Sequence, residues 1–502
     1  MNEPTGIRSI LRATAILSSS SFLTILVGVA TAKVNAVFLG PAGYGYMGLL
    51  QSLINLTVLV AGLGVGVGLV KMGASRAKEN DAAGMACLRS AAWLVVAVTG
   101  VLATIVLVVF REKFSLWILN TPSHPWAVVL AGIGILFTVA SNLQTNIINT
   151  YHRVEALAKN SAMAAILGAA VTIALIVVWR DKGIVPAIIA GAIVSWLISR
   201  YLLRKEIGAP SARPPLGEVI KAAKSLARFG GPYTASMLLG TGVQMALPIL
   251  VVHMLDTQSV GYYRAAANIS VTYLGFLITA MGQDYYPRVS AVSRQPEALR
   301  ELINKQQRLV LLLAVPGMLG MLALVPYLIP LFYSAKFHPA IELLEWQLIG
   351  DLFKFSSWTM SFVILARCSS VTYFFTESVA GVAIFVTSWL GMRWFGLPGL
   401  GMSFLATYII YYTIVWLIVR KEINFVWSSA NKWMMAGAAA AALVVRLCPY
   451  TGMALWRTPV ALTFAAVAGS GSLRAIWGEV KDTKTAAQAQ RVVLGLLGRA
   501  QI

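Results

Sequence analysis

The sequence predicts an all-α polytopic membrane protein, and three observations support this fold class. The 502 residues are 58% hydrophobic and only 12% charged, with a mean hydropathy of +0.75, far outside the range of soluble globular domains. Stretches such as 34–70, 90–110 and 394–419 contain no Asp, Glu, Lys or Arg, and a helix needs about 20 apolar residues to cross a bilayer. Lys and Arg number 40 against 19 Asp and Glu, an excess that membrane proteins place in cytoplasmic loops.

The same composition excludes several classes of protein. The apolar spans leave no room for a soluble catalytic domain, and membrane topology explains the positive charge, so no nucleic-acid partner is expected. The three cysteines, Cys87, Cys368 and Cys448, are widely scattered and form no CxxC pair, which gives no sign of metal or redox chemistry. We therefore expect no metal site and no cofactor.

Apolar runs place twelve spans along the chain, followed by two weaker ones. The twelve lie near 13–37, 43–70, 90–110, 125–150, 161–179, 183–200, 230–254, 260–282, 309–333, 339–366, 369–392 and 398–419. The weaker spans lie near 432–448 and 458–473, because 433–445 provides only 13 uninterrupted residues, a length that a re-entrant or interfacial segment also has. Fourteen spans are predicted, and twelve are the alternative.

The distribution of cations predicts which way the spans face. With the N-terminus inside, 29 of the 40 Lys and Arg residues fall on the cytoplasmic side and 8 on the opposite side. Both termini are therefore predicted to be cytoplasmic. Two cytoplasmic segments, 215–229 and 297–311, carry apolar residues at helical spacing against Lys and Arg. They are predicted to be amphipathic helices in the inner interface, with solvated linkers as the alternative.

An internal repeat divides the chain into two halves. Arg-Lys-Glu-Ile occurs at 204–207 and again at 420–423, an offset of 216 residues. The same offset pairs Gly45-Tyr46 with Gly261-Tyr262, Gly183 with Gly399 and Ala190 with Ala406. Six spans per repeat make both halves begin on the same side, which is the parallel repeat of a two-lobed transporter. Duplication without transport is the alternative.

The repeat sets the predicted domain boundaries. An N-lobe of six spans covers 1–207, a cytoplasmic amphipathic linker covers 208–229, and a C-lobe of six spans covers 230–423. The remaining residues, 424–502, form a C-terminal extension with two further helices and a cytoplasmic tail. The predicted architecture is two parallel six-helix lobes around a central cavity, plus this extension.

A cationic, hydrogen-bonding patch is predicted in the outer half of the membrane. Ionisable groups inside spans are functional candidates because burying them in lipid is costly. Lys33 near the outer end of span 1 and Arg264 one turn into span 8 are expected at one depth. The predicted substrate-binding residues are Lys33, Gln51, Asn55, Arg264 and Asn268. Such a patch suits phosphate, and snorkelling to the headgroups is the alternative for both cations.

Span 10 carries an acid and a base at mid-membrane. Asp351 and Lys354 have i,i+3 spacing and form either a structural ion pair or a coupling site at which Asp351 exchanges a proton or counters the cavity cations. Glu377 in span 11 is the second candidate acid. No Walker A sequence is present, so transport would depend on an ion gradient or on removal of product.

A second polar stripe occupies the inner half of span 4. Asn142, Asn146 and Asn149 follow i, i+4, i+7 spacing. The stripe either lines the inward mouth of the cavity or hydrogen-bonds to neighbouring helices.

Three stretches resemble a known family. They are KVNAVFLGPAGYG at 33–45, LARFGGP at 226–232 and WQLIGDLFK at 346–354. Together they are similar to the Wzx-type flippases of O-antigen and enterobacterial common antigen, in the polysaccharide-transporter branch of the multidrug/oligosaccharidyl-lipid/polysaccharide (MOP) superfamily. The resemblance covers roughly residues 10–420. Family members typically end after span 12, so 424–502 departs from the pattern.

The resemblance implies an activity and its partners. It implies two six-helix lobes, a cation-lined cavity between spans 1, 2, 7 and 8, and alternating access. The implied substrate is undecaprenyl pyrophosphate carrying an oligosaccharide repeat unit, moved from the cytoplasmic to the periplasmic leaflet of the bacterial inner membrane. Membrane lipids and the polymerase and chain-length proteins of the same pathway are the implied partners.

Two alternative functions remain open from the sequence. A membrane enzyme of polysaccharide assembly would need a sizeable outward loop with catalytic groups, whereas the outer connections such as 111–124 are short and no nucleophile–base set can be named. A transporter and not an enzyme is therefore expected. A lipid II-type flippase is harder to separate, because it too moves an undecaprenyl pyrophosphate and commonly has fourteen spans.

Overall fold

The computed structural model describes residues 7–79, 81–208, 214–368, 370–448 and 456–481, which contain fourteen α-helices and no β-strand. The helices are α1 (Ile7–Gly62), α2 (Val65–Lys78), α3 (Ala82–Val109), α4 (Arg111–Leu119), α5 (Pro125–Thr150), α6 (Val154–Trp179), α7 (Ile184–Glu206), α8 (Leu216–Met254), α9 (Thr257–Ala291), α10 (Pro296–Phe332), α11 (Ala340–Arg367), α12 (Ser370–Ile423), α13 (Ser429–Leu447) and α14 (Arg457–Lys481). The predicted cytoplasmic N-terminus at 1–6, part of the linker at 209–213 and the predicted tail at 482–502 lie outside the described residues.

Eight stretches of the described helices are long and apolar enough to cross a membrane. They are Ser19–Gly62, Ala82–Val109, Pro125–Thr150, Val154–Glu206, Pro296–Phe332, Ala340–Arg367, Val371–Ile423 and Arg457–Gly478. Three of them run for 44, 53 and 53 residues, roughly twice the length needed for one crossing at 1.5 Å per residue. The fold class predicted from composition, an all-α polytopic membrane protein, is confirmed.

The longest helical stretches are interrupted where the sequence predicts two spans. Gly40 within α1 has φ 63° and is followed by Pro41, and Gly396 within α12 has φ 61° two residues before Pro398. Glycine tolerates this left-handed conformation, and proline lacks the amide hydrogen that would continue the helix. A 3-10 turn at Arg180–Gly183 likewise separates α6 from α7.

Some boundaries differ from those predicted. Span 4 at 125–150 coincides with α5, but the two predicted amphipathic segments are not separate helices. The first is continuous with span 7 in α8, and the second is continuous with span 9 in α10, because neither junction contains a break in helical backbone geometry. The predicted outer connection at 111–124 contains the short helix α4.

The chain divides into two compact units. The first comprises Met1–Ala265 with Ile329–Pro339, and the second comprises Ala266–Leu328 with Ala340–Ile502. In the first unit α5 packs against α3 and α7, and α1 packs against α6. In the second unit α11 packs against α12 around a buried cluster that includes Tyr285. The lobe and linker boundaries that the repeat predicts stay a prediction.

A tight helical turn occurs at equivalent positions of the repeat. A methyl group on Gly183 would overlap the carbonyl oxygen of Leu175, and one on Gly399 would overlap the carbonyl oxygen of Gly391. Gly183 and Leu175 of the first contact are each 216 residues before Gly399 and Gly391 of the second. The sequence offset therefore marks a repeated local structure, in which only glycine permits the close approach.

The C-terminal extension contains the two predicted helices. They are α13 and α14, which pack against each other, and α13 also packs against α11. The extension therefore belongs to the second compact unit.

Candidate functional site

The start of α9 crosses α1 at a point where neither helix has room for a side chain. A methyl group on Gly45 would overlap the carbonyl oxygen of Thr257, and one on Gly261 would overlap that of Pro41. Gly45 is equivalent to Gly261 in the repeat, and Pro41 is equivalent to Thr257, so the two contacts mirror each other. Small residues at such crossings allow helix backbones in membranes to approach closely.

Arg264 lies across α1 at this crossing. Its Nη1 donates a hydrogen bond of 2.5 Å to the carbonyl oxygen of Gly48, and its side chain occupies the space that a Gly48 side chain would need. A guanidinium group has five N–H donors, and this is the single hydrogen bond of Arg264 within the described part of the chain. Further N–H groups therefore remain for another acceptor.

The other residues of the predicted patch have separate environments. Lys33 is half-buried, and its Nζ donates a hydrogen bond of 2.8 Å to the carbonyl oxygen of Pro330. Gln51 donates to Asn55 over 3.0 Å, as their i,i+4 spacing predicts. Asn268 is exposed on α9 one turn after Arg264. Each cation hydrogen-bonds to a backbone carbonyl, and the role of these residues as a substrate patch stays a prediction.

Asp351 is fully buried in the middle of α11, with 0% of its surface exposed. Its Oδ2 accepts a hydrogen bond of 3.0 Å from Ser270 on α9. Its Oδ1 has no hydrogen-bond partner among the described residues. A buried carboxyl group with one free oxygen can bind a proton or a cation, because unsatisfied buried polar groups are costly.

Lys354, one turn further along α11, lies in an aromatic cage formed by Trp358, Phe404 and Tyr408. Its Nζ is 5.9, 5.4 and 5.2 Å from the centres of these three rings, distances at which a ring face attracts a cation. No ion pair within 4 Å joins Lys354 to Asp351, although both lie in the described part of the chain. The base therefore contacts aromatic rings and makes no direct ion pair with the acid.

The beginning of α11 carries a buried network of ion pairs. Arg446 of α13 contacts Glu342 and, over 3.2 Å, Glu345, while Arg457 of α14 contacts the other oxygen of Glu345. The side chains of Glu345 and Arg446 are only 3% and 5% exposed. The Arg446 guanidinium also lies 5.2 Å from the centre of the Trp346 ring. Four charged groups that balance one another thus attach the C-terminal extension to α11.

The remaining predicted polar residues are partly exposed. Asn142 and Asn149 are exposed on α5, and Asn146 between them donates to the carbonyl oxygen of Asn142 over 2.8 Å. Glu377 of α12 is exposed and accepts a hydrogen bond of 2.6 Å from Tyr411.

Sequence reasoning did not identify the partners of these groups. Ser270, the hydrogen-bond donor to Asp351, carries no signal because serine is common in spans. The spacing of Phe404 and Tyr408, i,i+4 in span 12, was a usable signal for a shared helix face. The charge network also had a usable signal. Two acids at the start of span 10 and two arginines at the end of span 13 and the start of span 14 are predicted on the same side of the membrane.

Ionisable side chains buried in a bundle of membrane-crossing helices are typical of transporters. Comparison with known proteins gives the family: residues 34–342 match the model of the polysaccharide biosynthesis protein family. The chain belongs to this family.

Relatives and solved structures agree with this membership. The lipid III flippases of Escherichia coli (strain K12) and Shigella flexneri are each 22% identical over 432 residues, which is 82% of this chain and 100% of theirs. The structure of the lipid II flippase MurJ in an inward closed conformation has a TM-score of 0.72 at 15% identity and covers 92% of this chain and 99% of its own.

An inward-facing MATE family multidrug resistance transporter of the MOP superfamily has a TM-score of 0.65 at 18% identity, and the match covers 84% of this chain and 99% of that one. The chain therefore has the fold of MOP-superfamily transporters, as the resemblance implied. The narrower assignment to the Wzx-type branch stays a prediction.

Proposed function

We propose that this protein is a flippase that moves an undecaprenyl-pyrophosphate-linked oligosaccharide, such as an O-antigen-like repeat unit, from the cytoplasmic to the periplasmic leaflet of the bacterial inner membrane. The movement proceeds by alternating access, without enzymatic turnover of the lipid. The observation that carries the proposal is the relationship to two lipid III flippases along 82% of the chain. The polymerase and chain-length proteins of the same pathway are its proposed partners.

The residues of the predicted patch fit the proposed cargo. Pyrophosphate is an anion with several oxygen acceptors, and Arg264 has N–H groups left after its bond to Gly48. A planar guanidinium binds phosphate oxygens bidentately, and the Lys33 ammonium adds a point charge. Gln51, Asn55 and Asn268 supply amide groups for hydrogen bonds to sugar hydroxyls.

A flipping assay with variants of Arg264 tests this proposal. In proteoliposomes loaded with the lipid-linked oligosaccharide, we expect Arg264→Ala to reduce the flipping rate at least about tenfold, since a charge-assisted hydrogen bond contributes roughly 1.5–3 kcal/mol. Arg264→Lys should restore only part of the rate, because the lysine ammonium keeps the charge but cannot bind phosphate oxygens bidentately as a planar guanidinium does.

The matched control is Arg111→Ala. Arg111 is also predicted to lie on the outer side, but its guanidinium stacks on Trp126, 5.1 Å from the ring centre, and it is expected to be dispensable. Unimpaired flipping by Arg264→Ala at normal protein levels would refute the substrate role of Arg264.

Lipid II transport is the second candidate function. One observation favours it: the likeness to the lipid II flippase MurJ covers 92% of this chain, against 82% for the lipid III flippases, and the chain has a C-terminal extension. The same proteoliposomes loaded with lipid II distinguish the two cargoes. A faster rate with lipid II than with the oligosaccharide lipid would reverse our preference.

The proposed orientation places both termini in the cytoplasm. It depends on the 29 to 8 distribution of cations. A reporter fused after Arg213, which lies outside the described residues, should be cytoplasmic, and one fused after Thr121 should be periplasmic. Activity of both reporters on one side of the membrane would contradict this topology.

Energy coupling is assigned to Asp351. Its Oδ1 is free of hydrogen bonds within the described residues, and the group is fully buried. We infer that Asp351 takes up and releases a proton or a cation once in each cycle. Lys354 balances its charge in one state of the cycle, and Glu377 is the alternative acid.

A further inference from the structure

The repeated Arg-Lys-Glu-Ile motif ends two helices, and its cations have no role in the proposed transport reaction. The first copy ends α7, and the second ends α12. Both ends lie at the limits of membrane-crossing stretches, at Glu206 and Ile423. Each copy therefore ends a stretch that is long and apolar enough to cross a membrane.

An arginine from another helix binds the backbone at each of these ends. Arg89 of α3 donates a hydrogen bond of 3.3 Å to the carbonyl oxygen of Gly208, and Arg300 of α10 donates one of 2.5 Å to that of Ile423. These arginines supply the donors that carbonyls at helix ends need. The cations of the motif itself are exposed and remain available to a ligand.

The α7 copy has a shallow cleft, open to its surroundings and formed by the side chains of this one helix. The cleft is lined by Leu197, Arg200, Tyr201, Arg204 and Lys205, with the cations toward the end of the helix and Leu197 at the other end of the cleft. Leu197 and Tyr201 are 50% and 55% exposed. No carboxylate of the described residues lies within 4 Å of the three cations, so no acid in this part of the chain pairs with them.

Aromatic rings fix the cations at this end of α7. Arg200 stacks on Trp196 at 5.3 Å, and Lys205 stacks on Tyr201 at 5.7 Å from the ring centre. Tryptophan and tyrosine prefer the membrane interface, where phospholipid phosphates are found. Trp196, Tyr201 and the two cations that lie over them are therefore the residue types found at the level of the headgroups.

We propose that the cationic end of α7 is a binding site for the headgroup of an anionic phospholipid, in the leaflet that the charge distribution assigns to the cytoplasm. Arg200, Arg204 and Lys205 bind the phosphate oxygens, and an acyl chain lies along Leu197 and Tyr201. A soluble phosphate would use only the cations, whereas a lipid uses both ends of the cleft. This site is independent of the cargo that the protein transports.

The second copy of the motif provides a matched comparison. Arg420 stacks on Trp416 at 5.0 Å, but Trp416 is the repeat equivalent of Arg200, so the third cation is missing. Leu417 likewise replaces Tyr201. The α12 copy therefore has the same two motif cations but lacks the third cation and the tyrosine of the α7 cleft.

The test measures binding of dioleoyl phosphatidylglycerol to the purified full-length protein by native mass spectrometry. Each surface cation contributes about 1 kcal/mol toward an anionic lipid, so Arg204→Gln combined with Lys205→Gln should raise the Kd of the first bound lipid by about tenfold or more. Arg420→Gln combined with Lys421→Gln should change it less than about threefold. Phosphatidylcholine should bind wild type and all variants with the same weak affinity.

Several outcomes would overturn the proposal. Equal losses in the two double variants would mean diffuse attraction by interfacial charge and no site at α7. Glycerol 3-phosphate that displaces the lipid with the same Kd would mean a soluble phosphate ligand. If the α7 double variant does not fold, Arg200→Gln replaces it, and an unchanged Kd in that folded variant would refute the site.

Discussion

The beginning and the middle of α11 carry two buried charged sites that are built in opposite ways. At the beginning, both carboxylate oxygens of Glu345 contact arginines, one from α13 and one from α14. In the middle, roughly 9 Å further along the helix axis, Asp351 has one hydrogen bond from Ser270 and one free oxygen within the described residues. Its neighbour Lys354 is surrounded by aromatic rings instead.

The difference separates charges that hold the protein together from charges that are available for a reaction. A buried ion network is stable only while every member is present, because removal of one partner leaves an uncompensated charge. A buried acid with a free oxygen keeps the capacity to bind a proton or a cation, which transporters use. Both sites contain a buried acid, so the partners decide the role.

The largest effect is expected at the network. Arg446→Ala leaves Glu342 and Glu345 without their shared cation, and we expect it to destabilise the protein by about 3–5 kcal/mol. Thermal melting of the detergent-purified protein and its level in membranes measure this loss. Adding Glu342→Gln to an Arg446→Gln variant should recover stability, because the remaining Glu345 and Arg457 still contact each other. A neutral effect of Arg446→Ala would remove the distinction between the two sites.

A smaller change in stability, but a loss of function, is expected in the middle of the helix. Asp351→Asn keeps an oxygen that accepts from Ser270, so the free energy of unfolding should change by about 1 kcal/mol or less. Flipping driven by an imposed pH gradient should be lost. Retention of a gradient-dependent rate would exclude Asp351 as the coupling group and make Glu377 the next candidate. Recovery in Asp351→Asn combined with Lys354→Met would mean that the two residues were only a structural pair.

A modest effect on stability, well below that at the network, is expected at the aromatic cage. Lys354→Met replaces the ammonium by an apolar group of similar length, and the lost cation–π attraction should lower the free energy of unfolding by about 0.5–2 kcal/mol. Thermal melting alongside Arg446→Ala measures the ratio of the two effects. Losses of the same size would show that Asp351 is charged and depends on Lys354, which would contradict the contrast between the two sites.

Composition and periodicity were sufficient for the fold class. Apolar length alone gave the end points of α5 and the presence of α13 and α14. The junctions before α8 and α10 could not be predicted, because charged amphipathic residues form helix as readily as apolar ones, and only the absence of a breaking residue decides continuity. Gly40-Pro41 carried such a signal, and the chain does break there.

The candidate site was predictable in its titratable residues and not in their partners. Asp351 and Lys354 stood out because charge in an apolar span is rare. Their i,i+3 spacing permitted an ion pair, but the side chain of Lys354 also reaches Phe404 and Tyr408 of α12. Which of these neighbours Lys354 contacts depends on packing between helices, and a single sequence does not contain that information.

The crossing of α1 and α9 shows what fusion of two equivalent halves permits. The contacts made by Gly45 and Gly261 are exchanged by the repeat, as contacts across the two-fold axis of a homodimer are. Arg264, however, faces Gly48, its own equivalent position. In a dimer of identical half-length chains, an arginine at this position would meet a second arginine, and the two side chains would compete for one space. A single chain that contains both halves can place a large cation in one copy and no side chain in the other, an asymmetry that no symmetric dimer of one gene product can reach.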